Sequence, residues 1–225
     1  MHDSSFANRE FYHVYNRGVE KRNIFLDDKD KWRFLTLLLI LQGRAFIPQM
    51  GRLIPIVKHS MLDNKVKLED NEYFKDTLTT RMVELVCFCM MPNHFHLILQ
   101  QLQDGGISSF MQRLGDSYTK YFNIRYERTG HLFGGTFQSR HIDQNEYLTY
   151  LSAYIHMNPR ELKAWRKKEI QYPWSSFQDY EKRNRLGLFL NAFIVIDQFQ
   201  QDDYKNFVTK INIRSTVEDA YLIDP

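Results

Sequence analysis

The chain has 225 residues, 43% of them apolar and 15% aromatic, enough to bury one sizeable core with an appended subdomain, which excludes a disordered chain. Two cysteines, Cys87 and Cys89, exclude a disulfide framework, and no apolar run reaches the ~20 residues needed to cross a bilayer. The net charge of +3 is too small to diagnose a nucleic-acid partner by itself.

In chain order, Phe11 to Tyr15 reads as a strand stopped by Asn16-Arg17-Gly18, where glycine would supply a positive φ. Asp27, Asp28 and Asp30 open a helix over 28–42 that ends near Gly43, with Phe34, Leu35, Leu38, Leu39 and Leu41 on its apolar face. Residues 43–80 hold Pro48, Gly51 and Pro55 without sustained periodicity. They read as an insertion, with a short helix over Asp70 to Met82. Met82 to Met90, the turn Met91-Pro92-Asn93 and His94 to Gln100 predict a β-hairpin. Helical spacing resumes from Ile107 to Arg125 and closes at Gly130. A strand-like stretch over 133–142 leads to Asp143 and Glu146, a capping pair for a helix that carries Tyr147, Leu151 and Tyr154 and ends at Asn158 before Pro159.

This order predicts an α+β fold: an antiparallel sheet with helices on one face over residues 1–180, and a helical C-terminal extension over 181–225. Charge is uneven along it. Residues 159–185 carry eight bases against four acids and residues 186–225 three against six, a swing that fits a polyanion-binding face and solvated helix faces equally. The N-terminus MHDSSFANRE lacks a signal-peptide core, so a cytoplasmic protein with no membrane partner is expected.

Two local pairs carry chemistry. Residues two apart on a strand point the same way, so His94 and His96 present two imidazoles on one face, a clamp for a divalent metal or a pair of hydrogen-bonding histidines. Tyr154 and Asn158 lie four apart, about 6 Å along a helix axis, and share a face. If the Asn158 carbonyl oxygen joins the two imidazoles, a metal keeps open positions for a phosphodiester that Tyr154 attacks. A phenol with a pKa near ~10 needs such activation.

These residues resemble a known family. Tyr15-Asn-Arg-Gly18, Met91-Pro-Asn-His-Phe-His96, Ser117-Tyr-Thr-Lys-Tyr-Phe-Asn123, Gly130-His-Leu-Phe133, Tyr154-Ile-His-Met-Asn-Pro159 and Tyr172-Pro-Trp-Ser-Ser176 together look like the HUH single-tyrosine transposases of small insertion sequences, in particular the REP-associated tyrosine transposases. The resemblance runs from Phe11 to about Tyr180. It implies a ferredoxin-like or RRM-like sheet with His94 and His96 on a central strand, Asn158 as third metal ligand and Mg²⁺ or Mn²⁺ as cofactor. It further implies Tyr154 as a nucleophile that cuts single-stranded DNA beside a hairpin, keeps a 5′-phosphotyrosine and frees a 3′-hydroxyl. Arg17, Arg113, Lys120, Arg125, Arg128 and Arg140 are candidate DNA contacts. Relatives act as homodimers or monomers, and both states stay open here.

Three other readings compete with this one. An RRM-like binding module would leave His94 and His96 structural, but the chain has no Lys/Arg-Gly-Phe-Gly-Phe strand. A zinc site of Cys87, Cys89, His94 and His96 has unusual ligand spacing. Replication initiators and plasmid relaxases share the HUH chemistry, but the match beyond the two histidines favours the transposase branch.

Overall fold

A computed structural model describes residues 6–44, 49–63, 66–199 and 203–210. Strands β1 (Phe11–Arg17), β2 (Val83–Met91), β3 (His94–Gln101) and β4 (Gln138–Ile142) pair antiparallel in the order β2-β3-β1-β4. Helix α1 (Asp28–Ile40) lies between β1 and β2, and α4 (Gly106–Arg125) between β3 and β4. Chain order and sheet order together are those of the ferredoxin-like unit, so the α+β expectation holds.

Strand alternation sorts the sheet's two faces. Phe95 points to the α1/α4 side, where its ring lies 5.0 Å from Phe34, itself 4.9 Å from Tyr118 of α4. His94 and His96 point the other way. Helix α5 (Asn145–Met157) packs on that second face, so the expectation of helices on one face describes α1 and α4 and not α5. The reason is the composition of β2 and β3, which are buried on both faces and need cover on both.

Between α1 and β2 the structure has α2 (Met50–Leu62) and α3 (Glu72–Thr79). Helix α3 falls within the short helix expected over 70–82. Helix α2 corrects the reading of that stretch as irregular: Met50, Leu53, Val57 and Met61 line its buried side, and Pro55 lies inside the helix. Gly18 also differs from expectation. Its φ is −59°, and glycine is required instead by crowding, because a Cβ there would sit 2.2 Å from the Arg22 carbonyl oxygen. The residue at the N-cap of α5 is Gln144, with no side-chain cap bond, rather than the Asp143–Glu146 pair.

Asp30, fully buried, ties α1 to α4. Its carboxylate accepts from the Tyr121 and Tyr126 hydroxyls (3.0 and 2.8 Å), Arg125 (2.6 Å) and the Leu26 N–H (2.8 Å). Asp30→Ala takes this acceptor from the two tyrosine hydroxyls and the Leu26 N–H, while Arg125 keeps Asp27, and is expected to cost about 3 kcal/mol of folding stability. A urea unfolding midpoint unchanged from wild type would refute that role.

The segment Tyr172–Ser176 closes the outer edge of β2: Met90 N–H donates to Trp174 O (2.9 Å) and Ser176 N–H to Phe88 O (3.0 Å). Beyond it come α6 (Phe177–Glu181), α7 (Phe193–Ile196) and α8 (Asp203–Lys210). Leu186, Phe189, Val195, Tyr204 and Val208 join the same apolar cluster as the sheet, so the expected C-terminal extension shares the main core. No helix among the described residues is long and apolar enough to cross a membrane.

His156 of α5 joins these parts, with Nδ1 2.7 Å from the Tyr204 hydroxyl and Nε2 2.8 Å from the Ser176 hydroxyl. Burial pushes its pKa down to about 3. The unfolded chain, with a histidine pKa near ~6.5, then binds a proton that the folded chain refuses. Stability therefore falls as pH drops below about 6.5, and His156 alone accounts for about 2 kcal/mol of loss at pH 5. Unfolding free energies of wild type and His156→Gln across pH 4.5–7 should show a shallower slope in the variant. Equal slopes would refute the assignment.

Candidate active site

The hairpin of β2 and β3 brings His94 and His96 to the sheet's second face, and α5 lays Tyr154 and Asn158 over them. The Tyr154 ring lies 6.0 Å from that of His96, edge to face. The Asn158 amide donates its N–H to the Tyr154 carbonyl (3.0 Å), which turns Oδ1 toward His94 Nε2 at 3.5 Å. The 3₁₀ turn that starts at Asn158-Pro159 ends α5 at this point and leaves the Asn158 side chain facing the strand.

The two imidazoles are fixed from behind. His94 Nδ1–H donates to Asn93 Oδ1 at 2.7 Å, and in the neutral ring this leaves Nε2 as a lone pair toward the Asn158 oxygen. Two lone pairs facing each other at this distance are suited to a shared cation. His96 Nδ1 lies 2.9 Å from His13 Nε2 on β1, while the buried His96 Nε2 has no hydrogen-bond partner. That buried nitrogen, His94 Nε2 and the Asn158 oxygen form a nitrogen–nitrogen–oxygen donor set that fits a divalent ion. Among the described residues no group of three or more His, Cys, Asp or Glu side chains is placed to hold a metal ion.

The cysteines do not join this set. Cys87 Sγ sits 3.3 Å from His156 Nε2, and burial raises the thiol pKa of both Cys87 and Cys89. Among the described residues the two cysteines and two histidines form no group placed to hold a metal, so the Cys2His2 zinc alternative is not assembled.

Strand β1 adds His13 and Tyr15, to which the sequence reading assigned no role at the site, and brings the candidate DNA contact Arg17 beside them. Its register sets His13, Tyr15 and Arg17 beside Ile98, His96 and His94 respectively, on the same face. The Tyr15 ring is 5.8 Å from His96, yet Tyr15 is only 4% exposed, and burial raises its pKa. Burial lowers the His13 pKa to about 3 and holds that of His96 well below the usual range, so both rings are neutral. A signal existed in the alternation of Phe11, His13, Tyr15 and Arg17, but nothing local to it shows that β1 neighbours β3.

The six candidate DNA contacts divide. Arg17, whose buried Nε lacks a partner, lies beside His94, and Arg140 pairs in register with His13 on the same face. Arg113, Lys120, Arg125 and Arg128 sit on or just after α4, on the opposite face. Arg113 donates to Gly43 O (2.7 Å), Arg125 pairs with Asp27 and Asp30 (both 2.6 Å), and Arg128 donates to Asn123 (3.1 Å). Of the six only Lys120 is exposed rather than half-buried. It borders a groove of about 700 Å³ between α4 and the 131–137 loop.

Residues 53–158 match the family model for IS200-like transposases, a segment that contains His94, His96, Tyr154 and Asn158 and leaves β1 outside. A solved structure of a REP-associated tyrosine transposase bound to a REP hairpin is similar at 14% identity, covering 84% of this chain and 89% of that one, with a TM-score of 0.47. No curated protein matches.

Proposed function

With an IS200-like transposase domain over residues 53–158 as premise, we propose that this chain nicks and rejoins single-stranded DNA through a covalent 5′-phosphotyrosine on Tyr154. The observation that carries the reading is the convergence of the His94, His96 and Asn158 donor atoms beneath the partly exposed Tyr154. His94, His96 and Asn158 would hold Mg²⁺ or Mn²⁺. When bound, the ion draws charge from a phosphate oxygen and makes phosphorus more electrophilic.

The chain's residues supply the rest. Tyr154 loses its phenolic proton and its oxygen attacks phosphorus; the P–O3′ bond breaks and the departing 3′ oxygen takes up a proton. The 5′-phosphate remains as an ester on Tyr154, so its bond energy is retained and the reverse attack by a 3′-hydroxyl rejoins a strand. Helix α5 holds Tyr154 and Asn158 in one rigid unit, which keeps the nucleophile in register with the third metal donor. Arg17 and Arg140, on the histidine face, are the DNA contacts that this geometry favours, as phosphate-binding cations at the cleavage point.

The test is incubation with 3′-end-labelled single-stranded DNA, including hairpins drawn from the source genome, and Mn²⁺ or Mg²⁺, read on a denaturing gel. The label should move to the size of protein plus DNA, and chelator should abolish the shift. A label on the 5′ side should instead leave with a free 3′-hydroxyl. DNA that binds tightly across such a pool without any adduct would overturn the reading in favour of a binding module. Arg17→Ala should weaken binding of every sequence alike by roughly 10-fold and make binding less sensitive to salt; an unchanged salt dependence would remove Arg17 from the interface.

A further inference from the structure

His13 reaches the site only through His96. The two rings stack 5.1 Å apart at 20°, and the contact between His13 Nε2 and His96 Nδ1 at 2.9 Å holds one hydrogen, since two lone pairs or two N–H groups would repel at that distance. Two arrangements are open to it. If His13 donates, His96 carries its own proton on Nε2 and that nitrogen has no lone pair to offer. If His96 donates from Nδ1, its Nε2 is a lone pair and the single ring proton of His13 sits on Nδ1. Either way one buried N–H goes unpaired, on His96 Nε2 or on His13 Nδ1, the two ring atoms here that lack a partner. The desolvation cost is similar in both. Only the second arrangement leaves His96 able to bind a cation, and it repeats what Asn93 does for His94.

We propose that His13 is a positioning residue whose Nε2 accepts the Nδ1–H of His96, holding that ring in the tautomer that presents Nε2 to a divalent metal. The inference rests on the metal site proposed above. Outer partners of this kind commonly change metal affinity by about 10–100-fold, because they set both tautomer and ring orientation. Strand pairing makes the support rigid: His13 faces Ile98, next to His96 along β3, and is fully buried.

The test begins on the wild-type protein. Two-dimensional ¹⁵N–¹H spectra of ¹⁵N-histidine-labelled protein report which ring nitrogen of His96 carries the proton, with His96→Gln used to assign the signal. Nδ1–H is expected before and after diamagnetic Mg²⁺ is added. His13→Phe, which fills the space without an acceptor, should shift His96 toward Nε2–H and weaken Mn²⁺ binding by about 10–100-fold in calorimetry. His13→Gln offers an amide oxygen to the same N–H and should recover most of the affinity. His96 found as Nε2–H in wild type with or without Mg²⁺, or equal Mn²⁺ affinity in wild type and a folded His13→Phe, would overturn the role of His13. A wild type that holds His96 as Nδ1–H but binds no Mn²⁺ would instead sink the metal site and leave the histidine pair standing.

Discussion

Tyr154→Phe is expected to remove the covalent protein–DNA adduct, by at least about 10³-fold, while DNA binding stays within a few-fold of wild type. The variant loses one oxygen and keeps the ring, so the edge-to-face contact with His96 at 6.0 Å and the α5 packing are preserved. Tyr15→Phe is the informative companion, because its ring is equally close to His96 at 5.8 Å. Tyr15 is buried in the sheet and its phenol is pushed to a higher pKa, both unfavourable for an attacking group. Its variant should keep adduct formation within about 10-fold of wild type. The reverse pattern, an adduct that survives in Tyr154→Phe and vanishes in Tyr15→Phe, would move the nucleophile to β1.

His96→Ala should weaken Mn²⁺ binding by at least about 10²-fold and adduct formation with it, since it deletes the only donor atom of the set that is buried with no partner at all. Asn158→Ala should cost less, because the two imidazoles remain, although Tyr154 O then loses its 3.0 Å bond to the amide. Cys87→Ser and Cys89→Ser should leave the titration unchanged, as the thiols lie outside the donor set. A calorimetric titration in which a folded His96→Ala binds Mn²⁺ as tightly as wild type would dismantle the proposed centre. Loss of binding in the cysteine variants alone would reinstate the zinc alternative.

Much of the framework was legible along the chain. The strands and the helices α1, α4 and α5 carry clean periodicities, and their order admits few ways to close an antiparallel sheet. Helix α2 was hidden because Gly51 and Pro55 mark loops in isolation. Burial of Leu53 and Val57 outweighs both residues, which is a tertiary effect. The α4 cations show the same limit. Arg125 in sequence is a basic residue on a helix, and only the fold sets it against Asp27 and Asp30.

The sequence by itself determined the two local pairs, His94 with His96 and Tyr154 with Asn158, because strand and helix geometry decide which near neighbours share a face. It also carried the motifs by which residues 53–158 match IS200-like transposases. Only the tertiary structure decided that those faces meet, and that His13, 83 residues before His96, stands behind it. The cause is burial on both sides of the sheet: Phe95 and its neighbours need α1 and α4, and the opposite face, with Cys87 and His96, needs α5. Satisfying both at once carries Tyr154 and Asn158 over the histidines, and no spacing within a single element encodes that.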